Sequence, residues 1–276
     1  MGIYKPSELL RYLEDSGLRP KKSLSQNFLI DQNILNKLIA KASISGKDLV
    51  VEIGPGPGAI TEKLLAAGAR VIAIELDSKM AAGLRRLHSN DHFRLIEGDI
   101  LKTDLAKLTK GEPFKVVANL PYNITSPILS HLFDASELLT EAYVFVQKEV
   151  ADRITAKPKE KAYGSLSVFC TYYADTKLLF KVSAGSFMPR PKVDSAVVKL
   201  DLRKEPRSNN PKAFFKLTRQ AFNHRRKTLR SSLSSIYSKE AIEAALQKAN
   251  LGPLARPEEL GIDQLLELSY DLENSR

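Results

Sequence analysis

Asp48-Leu-Val-Val-Glu-Ile-Gly-Pro-Gly-Pro-Gly-Ala59 runs from a short apolar segment into three glycines at alternate positions. Asp48 to Ile53, carrying Glu52, reads as a strand, and Ala59 to Ala67 reads as a helix. Strand, glycine loop and helix together form a unit of a doubly wound α/β sheet. Glycines let the backbone of such a loop approach a ligand closely, and the helix behind it adds a positive end. Gly54 and Gly56 are therefore candidate contacts. The next strand, Arg70 to Glu75, ends in Glu75-Leu76-Asp77. Glu75 lies 21 residues beyond Gly54, a spacing that suits an acid bonding the ribose hydroxyls of a bound nucleoside. The loop is G-x-G-x-G, not the G-x-G-x-x-G of dinucleotide sites, so both a nicotinamide dinucleotide and S-adenosylmethionine remain open.

Two further strands lead to polar loops. Phe93 to Glu97 ends in Gly98-Asp99-Ile100, where Asp99 is placed to take an adenine amino group or to cap a turn. Phe114 to Ala118 ends in Asn119-Leu120-Pro121-Tyr122. Leu120 is biased to an extended conformation by the proline after it, and Pro121 has a fixed φ. Such a stiff loop aims carbonyl oxygens and a side-chain amide at an amino group while the tyrosine ring stacks on a flat base. It reads either as a pocket for an extruded nucleobase or as a turn that punctuates the end of the strand. Strands ending together in this way match the rule that ligands sit at the carboxyl ends of a doubly wound sheet.

Helices are expected from Ser126 or Pro127 to Phe133 and from Lys148 to Thr155, and strands over Glu141 to Gln147, Thr176 to Val182 and Ala196 to Leu202. Tyr163 to Val168 is ambiguous by period. Gly185 to Ser195 reads as an extended loop stiffened by Pro189 and Pro191, holding Phe187 out to face Tyr122 across a base. A core phenylalanine is the alternative.

The 276 residues allow one large domain or a domain with a small appendage. A content of 43% hydrophobic and 27% charged residues fits a globular chain with a sizeable core. No apolar run reaches membrane-spanning length, and the N-terminus lacks the apolar core of a signal peptide, so a cytoplasmic location without membrane contact is expected. The lone Cys170 excludes an internal disulfide and lies in an apolar-aromatic run, as core and not nucleophile. His88, His92, His131 and His224 form no metal-ligand pattern, so no metal is expected. The formal charge of +10 points to a polyanionic partner.

Near the N-terminus, Pro6 to Ser16 reads as a helix capped by Ser7, and Asp31 begins a helix with Ile34, Leu35, Leu38 and Ile39 as its buried stripe. Between them Arg19, Lys21 and Lys22 are either phosphate contacts or solvated charges. Toward the C-terminus, Pro211 suits the first position of a helix expected to run to about Tyr237. Phe215, Phe222, Leu229, Leu233 and Ile236 would form its stripe, with Lys212, Lys216, Arg219, Arg226, Lys227 and Arg230 on the face beside it. From 204 to 230 there are nine Lys/Arg and one acid, which favours phosphate contacts, with a solvated helix face as the alternative. Ser238 to Asn250 and Pro257 to Leu272 are two more amphipathic helices. The expected division is a nucleoside-binding domain over 1–203 and a small helical domain over 204–276.

With these residues laid out, the chain resembles the rRNA adenine N6-dimethyltransferase family. The marks are Gln26-Asn27-Phe28-Leu29, Glu52-Ile-Gly-Pro-Gly-Pro-Gly58, Glu75, Gly98-Asp99, Asn119-Leu-Pro-Tyr122 and Phe187-x-Pro-x-Pro-x-Val-x-Ser195. The resemblance implies a Rossmann-like class I methyltransferase sheet, seven-stranded and mostly parallel, with a small C-terminal all-helical, RNA-contacting domain. It implies S-adenosylmethionine as cofactor, leaving as S-adenosylhomocysteine, held by Asn27, Leu29, Gly54, Gly56, Glu75, Asp99 and Asn119. It implies a target-adenine pocket of Asn119, Leu120, Pro121 and Tyr122, with Phe187 as second stacking partner, and RNA contacts by Lys21, Lys22, Arg219, Arg226, Lys227 and Arg230. The expected reaction is dimethylation of N6 on two adjacent adenines in the 3'-terminal hairpin of small-subunit (16S) rRNA, by a monomer acting on that RNA or on the immature 30S particle. Three alternatives stand beside it: the erythromycin-resistance enzymes, which dimethylate a large-subunit adenine, a catalytically idle RNA-binding assembly factor, and more distantly a nicotinamide oxidoreductase. Family members usually carry glycine where this chain has Ser25, and often near Lys159.

Overall fold

Short β-rich runs alternate with amphipathic ones, and in the computed structural model they form strands and covering helices. The structure describes residues 3–88, 90–223 and 227–275, with only the backbone at Lys22. In chain order the first half holds α1 (Pro6–Asp15), β1 (Phe28–Leu29), α2 (Gln32–Ala42), β2 (Leu49–Ile53), α3 (Ala59–Ala66), β3 (Arg70–Glu75), α4 (Ser78–Leu87), β4 (Phe93–Glu97), α5 (Leu105–Leu108) and β5 (Phe114–Asn119). Then come α6 (Thr125–Phe133), β6 (Leu139–Gln147), α7 (Lys148–Thr155), α8 (Ser165–Tyr173), β7 (Ala174–Val182), β8 (Phe187–Met188) and β9 (Ser195–Leu202). Last are α9 (Pro211–Phe222), α10 (Leu229–Leu233), α11 (Lys239–Lys248) and α12 (Ile262–Asn274).

The main sheet is seven-stranded, in the order β4-β3-β2-β5-β6-β9-β7. From β4 to β6 the pairs are parallel, and β9 runs antiparallel to β6. All five residues of β2 are buried, as a central strand covered on both faces requires. Strand order reverses between β2 and β5, so the glycine loop after β2 and Asn119 at the end of β5 meet at the switch point. A separate two-stranded pairing of β1 with β8 ties the N-terminal segment to the Phe187 loop.

Several local expectations change. Ser7 does not cap α1: Pro6 takes the first helical position, and the cap residue Lys5 makes no side-chain bond. The helix expected from Pro211 to about Tyr237 is broken, because Thr228 is extended and its hydroxyl accepts from Ser231 N, starting α10 afresh. The buried face of α9 is thus Phe214, Leu217, Thr218 and Ala221, while Phe215 and Phe222 are only partly covered. Pro257–Glu259 is a separate 3-10 turn before α12. The ambiguous run after Tyr163 is α8, entered through a Gly164 N–H that donates to Ser167 Oγ.

The chain packs as two compact units. One contains residues up to Ala151 together with Lys177–Leu202. The other contains Asp152–Thr176 together with residues from Arg203 on. The second unit therefore takes more than the segment after 203. Tyr163, Val168 and Tyr172 share a core with Phe214, Leu217 and Leu268, and the Tyr172 and Phe214 rings stack at 5.2 Å. Cys170 is fully buried, and burial pushes its thiol pKa up, which leaves it inert. Among the described residues no helix is long and apolar enough to cross a membrane.

Ser25 and Lys159 both adopt a left-handed backbone, with φ of 51° and 73°. Both lie where the sequence departs toward a non-glycine residue, at Ser25 and in the charged loop around Lys159. A side chain there costs about 1–2 kcal/mol, against about 0.5–1 kcal/mol of extra chain entropy lost by glycine. Lys159→Gly is expected to stabilise the protein by about 0.5 kcal/mol, read as a higher urea midpoint at unchanged slope. A lower midpoint would contradict this account of the loop.

Candidate active site

A cleft opens at the carboxyl ends of the parallel strands, where ligands of doubly wound sheets sit. Asn27 and Phe28 line it, with Gly54 and Gly56, Glu75 and Leu76, Gly98 and Asp99, and Asn119 to Tyr122. Loops far apart in sequence thus converge on one space. Leu29 is not on this lining. It is buried in β1 and borders a smaller neighbouring cavity that shares Gly54 and Asn119.

The donors and acceptors present suit S-adenosylmethionine. Glu75 is only 5% exposed, and its two oxygens accept from the backbone N–H groups of Gly56 (2.9 Å) and Asp77 (2.8 Å). A carboxylate has about four acceptor directions, so Glu75 keeps acceptor capacity for a ribose hydroxyl. Burial raises the Glu75 pKa despite these bonds. Asp99 uses Oδ1 to accept from Leu101 N, capping a short turn, which leaves Oδ2 for an amino group. Gly54 has φ of 65°, and a Cβ built there would meet no atom within 4 Å. A side chain at Gly54 would fill space on the cleft wall.

Asn119 ends β5, and its Nδ2 donates to the Asn27 carbonyl at 2.8 Å. This fixes the carboxamide so that Oδ1 is its acceptor. Leu120 is buried and its N–H donates to Phe145 O, anchoring the loop before Pro121. The Pro121 carbonyl accepts from Ile124 N and Thr125 Oγ1, so of the loop's two carbonyls it is the one already engaged. Tyr122 is half-buried, and its hydroxyl lies 2.7 Å from Ser195 Oγ. Phe187 is not held out. It pairs with Leu29 across β1 and β8, is 2% exposed, and meets the Phe145 ring edge-on at 6.4 Å. The pairing turns its side chain into the core, the alternative that sequence left open and could not decide because the partner strand lies far away in the chain.

The basic residues divide. The Lys21 ammonium is 2.8 Å from Asp77, so its charge is committed within the fold. Burial alone would raise the Asp77 carboxyl, but Lys21 and the Lys79 amide outweigh it and hold the pKa below the ordinary value. Arg230 pairs with Glu243 at 2.7 Å. Arg219 and Lys227 are exposed, as are Lys212 and Lys216. Arg226 and the Lys22 side chain lie outside the described residues.

The family model described as ribosomal RNA adenine dimethylase matches residues 17–273. The chain belongs to that family. It is 41% identical over 281 residues to ribosomal RNA small subunit methyltransferase A of Protochlamydia amoebophila (strain UWE25), covering 100% of this chain and 99% of that protein. Among solved structures, a dimethyladenosine transferase from Plasmodium falciparum aligns with TM-score 0.76 at 27% identity, covering 90% of this chain and 98% of that one. The 23S rRNA methyltransferase ErmE aligns with TM-score 0.71, also at 27% identity, covering 90% and 100%. The fold is therefore the Rossmann-like methyltransferase fold. Family membership sets aside the nicotinamide oxidoreductase that the glycine loop alone left open.

Family motifs marked Glu52 only as part of the glycine-loop segment, but the structure gives it a distinct state. It is 1% exposed, Oε2 accepts from Thr61 Oγ1 at 2.6 Å, and Oε1 has no partner. Burial, partly offset by Thr61 and reinforced by Glu75, pushes its pKa up to about 8 from an ordinary 4.5. Between these values the folded protein holds a proton that the unfolded chain has lost. The stability this group contributes is fully present below the unfolded value and is lost as pH rises through about 8. Urea unfolding from about pH 5 to pH 8 should therefore show a shallower fall in stability for Glu52→Gln than for the parent. Parallel curves would contradict a buried, protonated Glu52.

Proposed function

We propose that this protein transfers methyl groups from S-adenosylmethionine to N6 of adenines in small-subunit ribosomal RNA, giving N6,N6-dimethyladenosine during ribosome biogenesis. One observation carries the reading. Glu75, Asp99 and Asn119-Leu-Pro-Tyr122 converge on a single cleft, in a member of the rRNA adenine dimethylase family that is 41% identical over its length to a small-subunit methyltransferase. That same identity favours the small subunit over the large one, since the fold is shared with enzymes of both names.

The exocyclic nitrogen of adenine is a poor nucleophile because its lone pair is delocalised into the ring. Asn119 Oδ1, presented because Nδ2 is held by Asn27, accepts one amino hydrogen, and the Leu120 carbonyl, stiffened by Pro121, accepts the other. Two acceptors on one nitrogen turn its lone pair out of the ring plane. The Tyr122 ring stacks on the base and fixes its tilt. S-adenosylmethionine, when bound, supplies an electrophilic methyl group on a good leaving group. The chain contributes orientation and electrostatics, and these are sufficient because the activation resides in the cofactor. An amide is too weak a base to keep a proton, so the methylated nitrogen loses it to water.

Arg219 and Lys227, with Lys212 and Lys216, supply phosphate contacts whose strength falls with salt. The substrate is small-subunit RNA or the immature 30S particle, with two adjacent adenines of its 3'-terminal hairpin as the target. The protein acts as a cytoplasmic monomer.

Labelled S-adenosylmethionine offered to undermethylated small and large subunits in parallel is expected to put dimethyladenosine into small-subunit RNA alone. Label confined to large-subunit RNA would move the protein to the erythromycin-resistance reaction. Firm RNA binding without transfer would make it an assembly factor. Asn119→Ala should lower single-turnover transfer at least about a hundredfold while cofactor binding changes far less. Unchanged transfer would remove Asn119 from the mechanism.

A further inference from the structure

We infer that Ser195 is a positioning residue for methyl transfer, fixing the Tyr122 ring from its far end and occupying the phenol hydroxyl so that the ring face alone meets the base. The inference rests on the adenine-methylating role proposed above.

The geometry is specific. Ser195 Oγ and Tyr122 Oη are 2.7 Å apart, between residues 73 apart in sequence. Ser195 is fully buried, with 0% exposure. It stands at the start of β9, in register with Gln147 of β6. Its neighbour Asp194 is clamped as well: the carbonyl accepts from Lys148 N at 2.9 Å, and the carboxylate accepts from Ala184 N at 2.9 Å. The hydroxyl is thus mounted on rigid backbone. Tyr122 opens a turn directly after Pro121, and the loop is anchored by Leu120 N on Phe145 O.

A tyrosine has one polar handle, at the tip of its ring. With the backbone held at one end and the hydroxyl at the other, the ring is set in place before a base arrives, so less freedom is lost when it stacks. Burial raises the Tyr122 phenol pKa, which keeps the hydroxyl protonated and able to share this bond.

The test is a double-mutant cycle in single-turnover transfer to small-subunit RNA, using Ser195→Ala, Tyr122→Phe and the pair together. Each single change removes the same bond, so each should slow transfer by a similar factor, about three- to tenfold. The double variant should be no slower than the slower single. Cofactor affinity and melting temperature should stay near the parent's, and Tyr122→Ala should be slower than all of these. Wild-type rates in the single variants would overturn the inference, as would effects that multiply. So would a much larger loss in Tyr122→Phe than in Ser195→Ala, because the phenol would then be meeting substrate. If Ser195→Ala fails to fold, Tyr122→Phe still decides: a rate equal to the parent's overturns the inference. Absence of transfer by the unmodified protein would overturn the adenine-methylating reading itself, and the inference with it.

Discussion

The hydrogen bond from Asn119 Nδ2 to the Asn27 carbonyl is the constraint on which the candidate site depends. The two ends of a carboxamide have nearly the same shape, yet one donates and the other accepts. With the nitrogen engaged, the oxygen is the end left to accept from a substrate amino group. An aspartate at position 119 would instead set two acceptors against each other. The bond also joins segments 92 residues apart, so the N-terminal segment and the end of β5 become one wall. That segment is secured elsewhere too. Asn27 Nδ2 donates to Ser25 O, β1 pairs with β8, and Ser186 Oγ donates to Asp31 Oδ2 at 3.0 Å.

The glycine loop meets different constraints at each glycine. A Cβ on Gly58 would lie 2.7 Å from Leu84 Cδ2, so this position serves the packing of α3 against α4. A Cβ on Gly56 would lie 3.0 Å from the Phe28 ring, so this one lets the N-terminal segment close over the loop. Of these three, only Gly54 has open space where a side chain would go, on the cleft wall. The same economy governs charge. Asp77 caps α4, receives Lys21 and, through its N–H, steadies Glu75, so the acid on the cleft wall is held by a network reaching back to the basic N-terminal approach.

The sheet and most of the cleft were legible because their signals are local. Glycines after an apolar run, an acid at the end of the next strand, and Asn-Leu-Pro-Tyr at the end of another each state a backbone requirement in a few residues. What sequence left open or did not disclose depends on register between distant segments. Phe187 points into the core because β8 pairs with β1, and Ser195 reaches Tyr122 because β9 pairs with β6. Lys21 read as either a phosphate contact or a solvated charge, and pairing with Asp77 makes it neither a free cation nor a merely solvated one. The long basic helix had a consistent stripe on paper, but Thr228 starts a new helix and resets the phase.

The most direct measurement is a crystal structure with S-adenosylhomocysteine and an adenosine-containing RNA fragment bound together. The account predicts the target amino nitrogen about 3 Å from Asn119 Oδ1, its base lying on the Tyr122 ring and the Asn119–Asn27 bond intact. An adenine whose amino group faces away from Asn119, or an Asn119 released from Asn27, would contradict it.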